Sequence, residues 1–130
     1  MTEQVRSIVA VVDDDPTILE SLESLLEAAG YGVLLFKSAI ALLESGSLGS
    51  IDCLISDVGL PAMDGLQLLR IVVATRPGLA VLLITGDRCL TAAPAAPHSA
   101  YRRVFHKPFD GHRLLAAVSE AVQATRNGSS

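Results

Sequence analysis

Four short strand-like runs in this chain each stop on a polar residue, and that punctuation constrains the fold more than any other feature. Ser7 to Val12 (SIVAVV) stops at Asp13-Asp14-Asp15, and Ile51 to Ser56 (IDCLIS) stops at Asp57. Leu79 to Ile84 (LAVLLI) stops at Thr85-Gly86, and Arg103 to His106 stops at Lys107-Pro108. Val33 to Phe36 is a further short apolar run. Ser7 to Val12 and Leu79 to Ile84, as continuous apolar runs, read as strands buried on both faces.

Helical periodicity fills the spaces between them. Asp15 reads as an N-cap with Pro16 in the first turn, and Ile18, Leu22, Leu25, Leu26 and Ala29 recur on one face until Gly30 stops the helix. Ser38 caps a short helix through Glu44, and Ser45 to Ser50 reads as a loop. Gly59, Pro61 and Gly65 mark a turn-rich loop, followed by a helix over Leu66 to Ala74 that Arg76-Pro77-Gly78 closes. Asp110 caps a last helix with Leu114, Leu115, Val118, Ala121 and Val122 on one side, and residues 127–130 read as a flexible tail. Strands alternating with helices require crossovers, hence a parallel sheet covered on both faces. The 130 residues make one domain, with no repeat and no linker.

Composition excludes several classes of function. Half the residues are hydrophobic and 18% are charged, which suits a folded core. A net charge of −4, no Trp and only two Tyr and three Phe argue against nucleic-acid binding. Cys53 and Cys89 lack the spacing of a zinc site or a disulfide scaffold, and Cys53 reads as inert core. The first residues, MTEQVRS, lack the layout of a secretory signal, and no apolar run spans a membrane, so a cytoplasmic location is expected. Charge is unevenly placed: residues 1–64 carry eleven acids against two bases, and residues 65–130 carry three acids against eight bases. That split fits a cation site in the first half and a basic contact surface, or a solvated face, in the second.

Parallel sheets place ligands at the carboxyl ends of their strands. Here those ends carry Asp13, Asp14, Asp15, Asp57, Thr85 and Lys107. Singly, each has an ordinary reading as a cap, a turn residue or an exposed lysine, and Asp15 is read as a cap. Together they form one constellation. Carboxylates gathered in one pocket call for a counter-charge, and a hard divalent cation such as magnesium supplies it. A carboxylate is also a competent nucleophile toward phosphorus, and an ammonium and a hydroxyl suit the oxygens of a transferred phosphoryl group. His98, His106 and His112 show no ligand spacing and read as surface residues.

VVDDDP (Val11–Pro16), ISDVGLPAMDG (Ile55–Gly65), LLITGD (Leu82–Asp87) and HKPF (His106–Phe109), in that order, resemble the receiver domains of bacterial two-component response regulators. The match covers roughly residues 7–125. The resemblance implies a flavodoxin-like, doubly wound, five-stranded parallel sheet of order 2-1-3-4-5 with five helices. It implies that Asp57 is the phosphoacceptor, served by a sensor histidine kinase or a histidine phosphotransfer protein. Asp13 and Asp14 would bind Mg2+ together with Asp57 and the Gly59 backbone carbonyl. Thr85 and Lys107 would meet phosphoryl oxygens, and the Lys107-Pro108 bond would be cis. Such a domain is not an enzyme in the usual sense, although it assists its own phosphotransfer and dephosphorylation. Phosphorylation would change the face made by the fourth helix, the fifth strand and the fifth helix, which signals to a protein target. Apart from the resemblance, the apolar side of the last helix around Leu114 to Val122 fits either a homodimer or ordinary core packing.

Three departures from the family pattern fall on this output face. Val104 stands where the family usually has an aromatic residue three places before its lysine, while Phe105 is one place later and faces the other way. Tyr101 is a candidate substitute. Pro94 and Pro97 interrupt the fourth helix, each at about 3 kcal/mol in a helix interior, which predicts a short or irregular element. Ser99 to Arg103 replaces the usual small-residue turn before the fifth strand. The expected result is intact phosphorylation chemistry with an atypical output switch.

Two other readings compete. A degenerate receiver would serve as a binding module without phosphorylation. A haloacid-dehalogenase-type phosphohydrolase would use Asp13 as nucleophile and Asp15 as acid/base, and would leave Asp57 and the following loop unexplained. The sequence also leaves open whether this is a stand-alone regulator or a fragment of a longer chain.

Overall fold

In the computed structural model, residues 6–86 and 102–128 are described. Strands β1 (Ile8–Val12), β2 (Gly32–Phe36), β3 (Cys53–Asp57), β4 (Val81–Thr85) and β5 (Arg102–His106) form one sheet of order β2-β1-β3-β4-β5. Every neighbouring pair is parallel. Helices α1 (Pro16–Ala28), α2 (Ala39–Ser45) and α3 (Gly65–Thr75) lie in the connections from β1 to β2, β2 to β3 and β3 to β4, and α4 (Gly111–Gly128) follows β5. The fourth of the five helices expected from the resemblance falls on residues 87–101, outside the described residues, as do Tyr101, Pro94 and Pro97.

Period-two alternation along the strands divides the core into two layers. Val9, Val11, Cys53, Ile55, Leu82 and Ile84 face Leu22 and Leu26 of α1 and Leu114 and Val118 of α4. Ala10, Val12, Leu54, Val81 and Leu83 face Leu42 of α2 and Leu68 and Val72 of α3. The alternation reaches β5, where Phe105 packs on the first layer and Val104 on the second. Residues such as Leu22, Leu54 and Leu82 are fully buried, so truncating any one to Ala costs about 2–5 kcal/mol.

Local signals set the helix starts. The Asp15 side chain accepts from the Thr17 N–H, with Pro16 in the first turn. Ser38 accepts from the Ala41 N–H, and Asp110 from the His112 N–H at 2.8 Å. Gly30 follows α1 at φ +96, a conformation costly for residues with a β-carbon.

Several boundaries differ from the sequence reading: β3 starts at Cys53 and ends on Asp57, and β4 starts at Val81 and ends on Thr85. Ser47–Ser50 forms a 3-10 turn within the expected loop, anchored by buried Leu48. α3 starts one residue earlier, at Gly65. α4 runs through Asn127 and Gly128, which the sequence reading assigned to the tail. Its last turn is held by Thr125, which is buried and accepts the Ala80 N–H at 2.9 Å. No helix among the described residues is long and apolar enough to cross a membrane.

Candidate functional site

The strand order reverses between β1 and β3, and the crevice for a ligand in such sheets opens at the carboxyl ends of those two strands. Asp13 follows β1 and Asp57 ends β3. The backbone ladder holds the residues of this edge in register. The Asp13 N–H donates to the Phe36 carbonyl at 3.1 Å, the Val58 N–H to Ile84 at 2.8 Å, and the Lys107 N–H to Thr85 at 2.9 Å. The Lys107-Pro108 peptide bond is cis.

Three carboxylates meet here. Asp13, Asp14 and Asp57 each offer an oxygen, and these atoms lie within 4.8 Å of one another. Asp13 is 1% and Asp57 7% exposed, whereas Asp14 faces solvent. Lys107 Nζ lies 3.5 Å from Asp13 Oδ2 and 3.4 Å from Asp57 Oδ2, bridging the two buried acids. Asp13 Oδ1 accepts the Asp15 N–H at 2.9 Å, and Asp57 Oδ1 accepts the Gly59 N–H at 3.3 Å. Asp13 Oδ2 is buried without a hydrogen bond, so its contact with Lys107 is an ion pair only.

The charges do not balance. At such separations one pair of unit charges attracts or repels by roughly 4 kcal/mol at an effective dielectric of about 20. One ammonium therefore cannot offset three mutually repelling carboxylates. Burial pushes the Asp13 carboxyl above its ordinary value of 3.8; the Asp15 N–H opposes that shift, Asp57 adds to it and Lys107 opposes it. A compact group of hard oxygens with an orphaned buried carboxylate oxygen fits a small divalent cation.

Asp13, Asp14, Asp57 and Lys107, singled out from the sequence, thus converge. Thr85 is buried at the same edge, where its carbonyl accepts the Lys107 N–H. Gly59 lies in the adjoining loop, with its N–H on Asp57. Asp15 stands apart, its carboxylate engaged as the α1 cap. Cys53 is fully buried and its thiol is pushed up by burial, which suits the inert role expected of it. His112 is exposed as expected, whereas His106 is half-buried because it lies on β5.

Sequence reasoning missed two features of the loop after β3. A β-carbon on Gly65 would lie 2.5 Å from the Asp57 carbonyl oxygen. Ala62 adopts φ +65, a left-handed conformation that costs a residue with a β-carbon about 1–2 kcal/mol. The one available signal was a glycine opening a helix, where its propensity is poor.

A family model for the response regulator receiver domain matches residues 9–119. The transcriptional regulatory protein FixJ of Bradyrhizobium diazoefficiens is 35% identical over 113 residues, covering 87% of this chain and 55% of its own. The DNA-binding transcriptional regulator NtrC of Escherichia coli is 37% identical over 117 residues, covering 90% of this chain and 25% of its own. The chain thus spans about half or a quarter of the length of these relatives. Among solved structures, a response regulator receiver domain protein from Clostridium thermocellum superposes with a TM-score of 0.82 at 30% identity, covering 92% of this chain and 97% of that one.

Proposed function

The chain belongs to the response regulator receiver domain family, and from that premise we propose that it is the phosphoacceptor of a two-component relay. The observation that carries this reading is Lys107 Nζ bridging Asp13 Oδ2 and Asp57 Oδ2 at the mouth of an acid cluster. Asp57 is the acceptor. One of its carboxylate oxygens attacks the phosphorus of a phosphohistidine on a kinase or phosphotransfer protein. The P–N bond breaks, and the leaving imidazole takes up a proton. Water later attacks the acyl phosphate and releases inorganic phosphate.

The residues around Asp57 divide the work. Asp13, Asp14, Asp57 and the Gly59 carbonyl would hold Mg2+, which would supply positive charge to the carboxylates and to the phosphoryl oxygens. Lys107 exchanges its contact with Asp57 for one with a phosphoryl oxygen, and the Thr85 hydroxyl donates to another. The domain is a signalling element of the cytoplasm rather than an enzyme with turnover.

Its output face includes β5 and α4 and acts on a protein partner. Nothing in the sequence supports direct DNA contact by this domain. The switch is atypical, because Val104 is aliphatic and Phe105 packs on the opposite layer, beneath Arg103 at 5.5 Å from its ring centre.

Intact mass after incubation with Mg2+ and a phosphodonor (acetyl phosphate, then a phosphohistidine protein) tests the reading. Wild type gains one phosphoryl group and Asp57→Asn gains none. An adduct that survives Asp57→Asn but needs Asp13 overturns the reading in favour of a phosphohydrolase. No adduct from either donor overturns it in favour of a binding module.

A further inference from the structure

Two glycines flank the loop that leaves Asp57, and they differ in what the fold asks of them. At Gly59 an added β-carbon would meet nothing within 4 Å, and the backbone is outside the left-handed region. At Gly65 a β-carbon would lie 2.5 Å from the Asp57 carbonyl oxygen and 2.9 Å from Val58 Cα. Both neighbours are backbone atoms and cannot swing aside as a flexible side chain would. The Gly65 N–H donates to the Val58 carbonyl at 3.0 Å, which closes the loop on itself. On the other side, the Val58 N–H is tied to β4 through the Ile84 carbonyl at 2.8 Å. The backbone next to Asp57 is therefore gripped between the sheet and the first turn of α3. A capping box steadies that turn: Asp64 accepts the Gln67 N–H at 2.8 Å, and the Gln67 side chain accepts the Asp64 N–H at 3.0 Å.

We propose that Gly65 is a positioning residue for the Asp57 site: its missing side chain lets α3 clamp the loop, and the clamp sets Asp57 and Gly59 for cation binding. The proposal rests on the phosphoacceptor reading and adds to it a residue that touches neither metal nor phosphoryl group. Gly65 acts through the loop. Displacing the start of α3 would move the closed loop and the weak bond from the Gly59 N–H to Asp57 Oδ1, at 3.3 Å. Groups that orient metal ligands from behind typically cost about 10–100-fold in metal affinity when altered.

The test is the Mg2+ concentration giving half-maximal phosphorylation of the full chain by acetyl phosphate. Gly65→Ala is expected to raise it by about ten-fold. Gly49→Ala, in open space on the 3-10 turn, is expected to leave it unchanged. A merely structural role would lower the amount of adduct at an unchanged Mg2+ midpoint, and that result overturns the proposal. A second pair of variants covers failure of Gly65→Ala to fold. Asp64→Ala removes the cap and is expected to shift the midpoint in the same direction, whereas Asp64→Asn keeps a capping oxygen and restores it. No shift in Asp64→Ala, or an equal shift in both, overturns the proposal. Failure of the underlying reading looks different: wild type itself then takes no phosphoryl group, and the inference about Gly65 falls with it.

Discussion

The two edges of this sheet treat their carboxylates in opposite ways. At the amino edge Asp52, Arg76 and Thr125 find partners within the fold, although Arg102, at the start of β5, keeps Nε and Nη2 buried without a hydrogen bond. Asp52 Oδ2 accepts the Ile8 N–H at 2.9 Å, and Asp52 Oδ1 faces Arg126 Nε at 3.7 Å. Arg76 Nη1 donates to the carbonyls of Leu48 and Ile51, and Thr125 takes the Ala80 N–H. At the carboxyl edge two buried carboxylates share one lysine, and one of their oxygens has no hydrogen bond. Buried polar groups that serve structure are satisfied. A site that must receive something keeps unmet capacity, and the fold carries the electrostatic strain.

That contrast can be broken by experiment. The largest effect is expected from magnesium. At a hundred times its dissociation constant, a ligand of the native state alone stabilises by about 2.7 kcal/mol. Urea unfolding of wild type should show a gain of this order, and Asp57→Asn should lose most of it. No gain in wild type would mean that the carboxyl edge is not a cation site.

Next comes Thr125→Val, which leaves the buried Ala80 N–H without its acceptor and should cost about 1–3 kcal/mol in urea. The Mg2+ midpoint for phosphorylation should stay at the wild-type value. A shifted midpoint would show that the two edges are coupled.

A smaller effect of opposite sign is expected from Asp13→Asn in metal-free protein. The Asp13 carboxyl is raised in the folded state, so its ionised form is less favourable there than in the unfolded chain. The penalty sets in as pH rises through 3.8 and is complete above the raised folded value. The variant should therefore gain about 0.5–2 kcal/mol at neutral pH, in the range of substitutions that relieve functional strain. The gain should vanish below pH 3.8. A gain that persists in acid would trace to packing instead of charge. The smallest effect is expected from Arg126→Ala: the Arg126 side chain is 46% exposed, and the loss should stay within about 0.5 kcal/mol.

Much of the carboxyl edge was legible in the sequence because strand ends are legible. An apolar run that stops on Asp57 declares where the strand ends and what it delivers. The caps Asp15, Ser38 and Asp110 were readable for a similar reason, since a cap is a local bond spanning two or three residues. The amino edge gave no such signal. Thr125 and Ala80 are 45 residues apart, and Asp52 and Ile8 are 44 apart, so nothing local links them. Thr125 extends α4 beyond the point where its apolar periodicity fades.

The sequence by itself determined the alternation of strands and helices, the residue at each strand end and the apolar face of each helix. Those follow from local periodicity and from the chemistry of single side chains. Only the tertiary structure decided that one ammonium bridges two carboxylates, that Asp13 Oδ2 is buried with an ion pair but no hydrogen bond, and that Gly65 must be bare of a side chain. Each of these depends on distances of a few ångströms between segments far apart in the chain. Such distances are set by how helices and strands pack, which no run of residues states alone.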